Sequence, residues 1–188
     1  MTVPQARAIV RDVELLLMRH AKSAWNTGAA TDHERPLNGR GRRTATAMAR
    51  TLYEEELIPD RILTSDAARA LETCRRLSSQ WATDVVTDVI PALYLGGLVQ
   101  VVRALQALRG PSHRVLIIGH NPGLELCARA WGATDPMKTG DVFFFKLDDE
   151  DPGAALREGR IEFRRRFRGR AALDRFPETR DLPLPRAG

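Results

Sequence analysis

The sequence predicts an α/β sandwich of three layers, with helices on both faces of a mostly parallel sheet. Short apolar runs alternate with stretches of helical period, the pattern of strand–helix–strand units. Two of the runs, Glu14–Met18 and Arg114–Ile118, are almost continuously apolar, as strands covered on both faces must be. There is no internal repeat or low-complexity tract, and 188 residues suit one core. Residues 1–188 are therefore read as one domain, with an N-terminal extension over 1–12 and a surface tail over 171–188.

The elements follow in order. Glu14–Met18 is the first strand, and the polar stretch 19–36, broken by Gly28 and Pro36, is a loop. Asn38 is placed to cap a helix running to about Glu56, with Ala45, Met48, Ala49, Leu52 and Tyr53 at helical spacing. Arg61–Thr64 is a second strand. Ser65 and Asp66 offer caps to a helix that turns Leu71, Cys74 and Leu77 inward, and Asp84–Ile90 is a third strand. Gly96-Gly97 opens a helix striped by Leu98, Val101, Val102, Leu105 and Leu108, which Gly110 and Pro111 end. After Arg114–Ile118, Gly119–Gly123 is a turn with Asn121 as cap and Pro122 at the first helical position. Leu124, Cys127 and Trp131 give that helix its buried side. Val142–Leu147 and Ile161–Phe167 are two later strands, joined by an exposed hairpin loop over Asp148–Gly159.

Composition excludes several classes. No run reaches the roughly 18 apolar residues of a membrane helix. The first twenty residues carry Arg7, Arg11, Asp12 and Glu14 and have no apolar core of signal-peptide length. Cys74 and Cys127 fall at apolar helical positions and read as buried free thiols, so the expected compartment is the cytoplasm. The net charge of +5 raises the question of nucleic acid. No zinc-finger spacing, heptad series or aromatic RNA-binding signature accompanies it, and Arg164–Arg170 reads as a solvated strand face. Neither a nucleic-acid nor a membrane partner is expected. The sequence gives no oligomeric state.

The chemistry gathers around two histidines. His20 directly follows the first strand and His120 directly follows the strongest one. Ligands of open parallel sheets bind beyond the carboxyl ends of strands, so adjacent strands would bring both imidazoles to one site. Arg19 precedes His20, Arg69 lies just past the second strand, and Arg35 sits in the loop after the first. Guanidinium groups match phosphate oxygens bidentately and stay charged. A neutral imidazole nitrogen can attack phosphorus. Surrounding arginines disfavour imidazolium and stabilise the oxygens of a transferring phosphoryl group. No cofactor or metal is needed, since neither a two-metal carboxylate cluster nor a cysteine phosphatase loop is present.

Four ordered segments carry a resemblance. LLLMRHAKSAWN resembles the RHG-type signature of histidine phosphatases, with Arg19, His20, Ser23 and Asn26 in place. RPLNGRG (Arg35), LTSDAARALET (Ser65, Arg69, Ala70, Thr73) and VLIIGHNPGL (His120) resemble three further segments of that superfamily in family order. The resemblance implies a phosphoglycerate-mutase-like sandwich and a phosphate pocket of Arg19, His20, Arg69 and His120, with His20 as nucleophile. Arg35 is implied as a further contact. Asn26 and Ser23 sit at positions that either touch the phosphoryl group or organise the loop. His33 has no matching role and reads as a surface histidine.

The pattern thins at the acid. Many superfamily members carry a mid-chain glutamate that protonates an alkoxide leaving group. Here that region reads VIPALYLGGLVQVV, with no carboxylate between Asp88 and Glu125. This matches the short SixA-like members, which act on phosphohistidine, since imidazole leaves without a strong acid while an alkoxide does not. Asp66, Glu72 and Asp88 are the possible substitutes. The expected substrate is a phosphorylated protein or a small phosphorylated compound. Two alternatives are a phosphatase of a small metabolite and a non-catalytic phosphate-binding module.

Overall fold

The computed structural model describes residues 13–25, 28–108, 112–148 and 152–181. Along the chain these form β1 (Val13–Arg19), α1 (Gly39–Glu54), β2 (Arg61–Thr64), α2 (Ala68–Ser78), β3 (Val86–Val89), a 3₁₀ turn (Pro91–Leu93), α3 (Leu98–Gln106), β4 (Arg114–Gly119), α4 (Gly123–Ala130), β5 (Val142–Leu147), α5 (Pro152–Arg157), β6 (Ile161–Phe167) and α6 (Gly169–Arg175). The strands make one six-stranded sheet in the order β3-β2-β4-β1-β5-β6.

Successive side chains of the central strands point to opposite faces, which divides the core in two. Leu15, Leu17, Val115, Ile117, Phe143 and Phe145 pack with α3, α4 and α5 residues on one face. Leu16, Met18, Leu116 and Ile118 pack with α1, α2 and α6 residues on the other. Leu15–Met18 and Val115–Ile118 are inaccessible to solvent. Their unbroken apolar runs follow from cover on both sides. β3, at the edge, leaves Val86 and Val89 about half exposed.

The expectation of a mostly parallel sheet is corrected: the sheet is mixed. β3, β2, β4 and β1 pair in parallel, but β5 pairs antiparallel with β1 and β6 antiparallel with β5. Parallel neighbours need a crossover of a dozen or more residues, whereas antiparallel neighbours need only a short return. After α4 the chain passes over the end of β1 and enters β5 there, so β5 runs back beside it.

Other local readings also change. α2 begins at Ala68 without a side-chain cap. Ser65 Oγ instead accepts from the Ala67 amide. Asn121 does not cap α4; its amide donates to Glu125 and to the Met137 carbonyl. The stretch expected as a hairpin loop holds α5, whose Ala155 is fully buried. The chain past Arg170, expected as a surface tail, is mostly exposed as far as Asp181, but it first continues α6 and buries Ala172 in the α1 core. Asp181 then pairs with Arg42. The extension over 1–12 and the helix end at Gly110 and Pro111 lie outside the described residues. Among the described residues no helix is long and apolar enough to cross a membrane.

One close approach sets the loop that follows β1. The Asn38 side chain caps α1 at the Gly41 amide (2.8 Å), and the Asn38 amide donates to the Lys22 carbonyl (3.0 Å). A Cβ on Gly41 would lie 2.0 Å from that same carbonyl oxygen. Gly41→Ala must therefore push the helix start off the loop. It is expected to cost about 1–3 kcal/mol, read from urea unfolding at constant m; an unchanged midpoint would show the contact to be soft.

Candidate active site

The parallel pairing of β1 with β4 sets Arg19 opposite Gly119, so His20 and His120 leave the sheet side by side. The His20 amide donates to the Gly119 carbonyl (3.1 Å). The two rings have centroids 5.0 Å apart, and both residues are buried. On the far side of β4, β2 ends level with them: the Ser65 amide donates to the Ile118 carbonyl. The first turn of α2 then delivers Arg69, also buried.

Arg69 joins the two imidazoles. Its Nε donates to His20 Nε2 (3.2 Å), and its Nη2 lies 3.4 Å from His120 Nδ1. His20 Nδ1 lies 2.7 Å from the Ala21 carbonyl, which can only accept. This network assigns the His20 proton to Nδ1 and leaves Nε2 unprotonated, its lone pair accepting from Arg69. By the same logic His120 carries its proton on Nε2, 3.0 Å from Ser65 Oγ. The loop after His20 is held by Thr73, whose Oγ1 accepts from the Ala21 amide and donates to the Arg69 carbonyl.

Burial is the main reason both rings stay neutral. It lowers His20 to about 3, with the charges of His120, Arg69 and Arg19 adding to the effect against the Ala21 hydrogen bond. Burial and then Arg69 lower His120 to about 4, partly opposed by Asp32. Arg19 donates through Nη1 to the Met137 carbonyl (3.0 Å). Its Nε is buried with no hydrogen-bond partner among the described residues.

Arg35 meets this cluster indirectly. It donates to the Ala24 carbonyl, to Ser23 Oγ (2.9 Å) and to Asp32 Oδ1 (2.5 Å), and it stacks on the Trp25 ring. Ser23 thus orients Arg35, the loop-organising alternative of the two expected for it. Asn26 lies outside the described residues. Of the possible substitute acids, Glu72 is engaged by the Leu37 amide and Arg76, and Asp88 by Arg61. Asp66 contacts His33. The His33 ring stands edge-on to Tyr94, at the rim of the site rather than apart from it.

Sequence reasoning missed two residues. Asp32 receives Arg69 on both its carbonyl (2.5 Å) and its Oδ2 (2.9 Å), and Tyr94 donates its hydroxyl to the same Oδ2 (2.9 Å). Desolvation pushes the Asp32 carboxyl up, but the hydrogen bonds of Arg35 and Tyr94 and the charge of Arg69 outweigh it and hold the group down at about 2. Tyr94 also packs edge-on against the His120 ring. The available signals were the spacing of Asp32 three residues before Arg35 and the lone tyrosine in the segment that lacks a carboxylate.

Two neutral imidazoles and buried guanidinium groups at the carboxyl edge of an α/β sheet define a protein built to hold an oxyanion against an unprotonated nitrogen. Residues 15–89 match the family model of the histidine phosphatase superfamily (branch 1). The chain is 33% identical over 149 residues to phosphohistidine phosphatase SixA of Escherichia coli K12, covering 75% of this chain and 89% of that one. It is 32% identical over 135 residues to an uncharacterized chloroplastic protein of Arabidopsis thaliana, covering 66% of this chain; it spans only 62% of that relative's length. A solved structure of the protein histidine phosphatase SixA complexed with tungstate superposes with a TM-score of 0.71 at 27% identity, over 85% of this chain and 99% of the other. The chain belongs to the histidine phosphatase superfamily, in its SixA-like branch.

The depressed histidines carry a pH consequence. An unfolded imidazole titrates near 6.5, so between about pH 6.5 and about 4 the unfolded chain binds protons that the folded chain refuses. Stability from these groups is complete above about pH 6.5 and is lost as the pH falls toward 4 and then 3. The slope is at most about 1.4 kcal/mol per pH unit for each imidazole. Unfolding free energies from pH 7 to 4 should fall more steeply for the wild type than for His20→Gln/His120→Gln. Parallel curves would show that the rings protonate freely in the native state.

Proposed function

We propose that this chain hydrolyses phosphorylated substrates, phosphohistidine above all, through a covalent intermediate on His20 Nε2, and that it does so as one domain. The observation that supports this most directly is the tautomer of His20: Nδ1 is committed to the Ala21 carbonyl, and Nε2 faces Arg69 unprotonated. Attack forms the Nε2–P bond as the bond from phosphorus to the leaving group breaks. Arg69 and the spare Nε of Arg19 hold the equatorial oxygens, where negative charge spreads in the transition state. An arriving phosphoryl anion favours protonation of His120, which then donates through Nδ1 to the same oxygens. Arg35, oriented by Ser23, supplies a further cation at the rim. Water hydrolyses the phosphohistidine intermediate and returns His20.

The leaving group follows from the missing acid. A phosphohistidine protonated on its other ring nitrogen releases neutral imidazole, whereas an alkyl phosphate must release a strongly basic alkoxide. At the rim the Tyr94 hydroxyl is committed to Asp32, and the Asp32 carboxyl is ionised at any working pH. Neither is a ready proton donor. The E. coli relative's name, phosphohistidine phosphatase, agrees with this preference. Two buried free cysteines, Cys74 and Cys127, suit the reducing cytoplasm.

The test is turnover of phosphohistidine, an aryl phosphate and a sugar phosphate by wild type and His20→Ala. The substitution should cost on the order of 10⁴-fold or more on every substrate, with an unchanged circular dichroism spectrum. Wild type pulsed with phosphate donor should carry acid-labile label on the chain. An active, folded His20→Ala protein removes the nucleophile assignment. A sugar phosphate turned over faster than phosphohistidine removes the leaving-group argument.

A further inference from the structure

The edge of the sheet that carries His20 and His120 carries a second feature. β6 is antiparallel to β5 and β5 to β1, so β6 and β1 run the same way and end on that edge. Neighbouring strands are about 4.8 Å apart, which puts the end of β6 about 10 Å from that of β1. A cavity of about 580 Å³ opens there, between the start of α1, the loop before β5 and the β6–α6 junction. Its volume is that of a ligand site.

Lys22, Arg40, Lys138, Arg168 and Arg170 line it, and all five are exposed. Its two carboxylates, Asp135 and Asp141, are both taken by Arg166. Elsewhere arginine is repeatedly matched with acid: Arg42 with Asp181, Arg61 with Asp88, Arg114 with Glu14, Arg165 with Glu55. Lys22, Arg40, Lys138 and Arg168 have no carboxylate partner among the described residues. Against these four cations from separate segments stands one net negative charge of the Asp135–Arg166–Asp141 group, and the excess of positive charge favours an anionic occupant.

The floor of the cavity is hydrogen-bonded to the segment that bears His20. Asp141, 3% exposed in its side chain, accepts from the Lys138 amide (3.0 Å), the Gly169 amide (2.9 Å) and Arg166. One buried carboxylate therefore fastens the loop bearing Lys138 to the junction bearing Arg168. The Gly140 amide in turn donates to the Arg19 and His20 carbonyls.

We propose that this cavity receives an acidic segment of a phosphorylated protein whose phosphohistidine occupies the His20 pocket, an inference that rests on the phosphohistidine reading above. The end of β6 lies about 10 Å from that of β1, a separation that residues flanking a phosphohistidine in an extended polypeptide span in about three positions. Among the described residues no aromatic side chain lines the cavity, so they offer single-stranded nucleic acid no stacking surface.

The experiment compares two synthetic phosphohistidine peptides, one flanked by glutamates and one by serines, with phosphoramidate as the small substrate. Wild type should prefer the acidic peptide by about tenfold in kcat/KM at low salt, the effect of two or three exposed charge pairs. Lys138→Glu/Arg168→Glu should erase that preference while phosphoramidate turnover stays within about twofold. Fluorescence anisotropy of the unphosphorylated acidic peptide gives a readout independent of catalysis: wild type should bind it and the double variant should not. Equal turnover of the two peptides by wild type, or an undiminished preference in the double variant, overturns the proposal. Tighter binding of an oligothymidylate of equal charge also overturns it. If phosphohistidine is not cleaved but the peptide binds wild type alone, the cavity stands and the reading of the bond cleaved fails.

Discussion

The site depends on one guanidinium. Arg69 touches both imidazoles and, through Asp32, the loop that carries Arg35. A buried cation needs an anion nearby or its desolvation goes uncompensated. Asp32 meets that need from the rim, with its carboxylate half in solvent while the Arg69 side chain is 5% exposed. The arrangement keeps positive charge beside His20 without placing a carboxylate next to Nε2. Had the counter-ion bonded His20 instead, it would have favoured imidazolium and removed the lone pair that the proposed chemistry requires. The geometry separates the two duties: Asp32 neutralises Arg69, and Ala21 orients His20.

That separation is possible because the sheet delivers the groups from different strands to one level. β1, β4 and β2 end together and supply His20, His120 and Ser65 as the residues that immediately follow them. α2 then starts one residue late for an Asp66 cap and two late for a Ser65 cap. The delay frees the Ser65 hydroxyl to accept from the Ala67 amide while facing His120. A missing helix cap, usually a loss of about 1 kcal/mol, here accompanies the orientation of the second imidazole. The local rule for helix starts gave way to the requirement of the site.

What was legible in the sequence was whatever depends on chain-local pattern. The fully covered strands show as unbroken apolar runs, and the histidines stand at their ends, so their meeting follows once β1 and β4 are neighbours. Asp32 and Tyr94 were not legible, because they are 62 residues apart and meet only through the fold of two loops. The direction of β5 depends on where the chain re-enters the sheet, which apolar alternation does not encode. Acidic residues around Pro152 and Gly153 masked α5, whose single fully buried alanine, Ala155, is too weak a stripe to read. The same holds past Arg170, where Pro and charge suggested surface, yet Ala172 packs beneath α1.

The net positive charge takes a different meaning once pairing is known. Summed over the chain it only raised the question of nucleic acid, which no motif supported, and a charge count alone cannot separate scattered cations from gathered ones. In the fold, many arginines on the helices and strands, among them Arg42, Arg61, Arg114 and Arg165, are matched locally with acid, while Arg75 and Arg103 stand without an ion pair among the described residues. The unmatched cations of Lys22, Arg40, Lys138 and Arg168 stand together on the reactive edge. Exposed pairs of this type contribute little to stability, so their grouping has no folding rationale of comparable strength. A cationic wall there also acts before contact, because an unscreened patch raises the local concentration of an anionic partner and orients its approach. The pocket that favours a neutral nucleophile and the wall that attracts an acidic partner are thus the same electrostatic choice, made at two depths of one sheet edge.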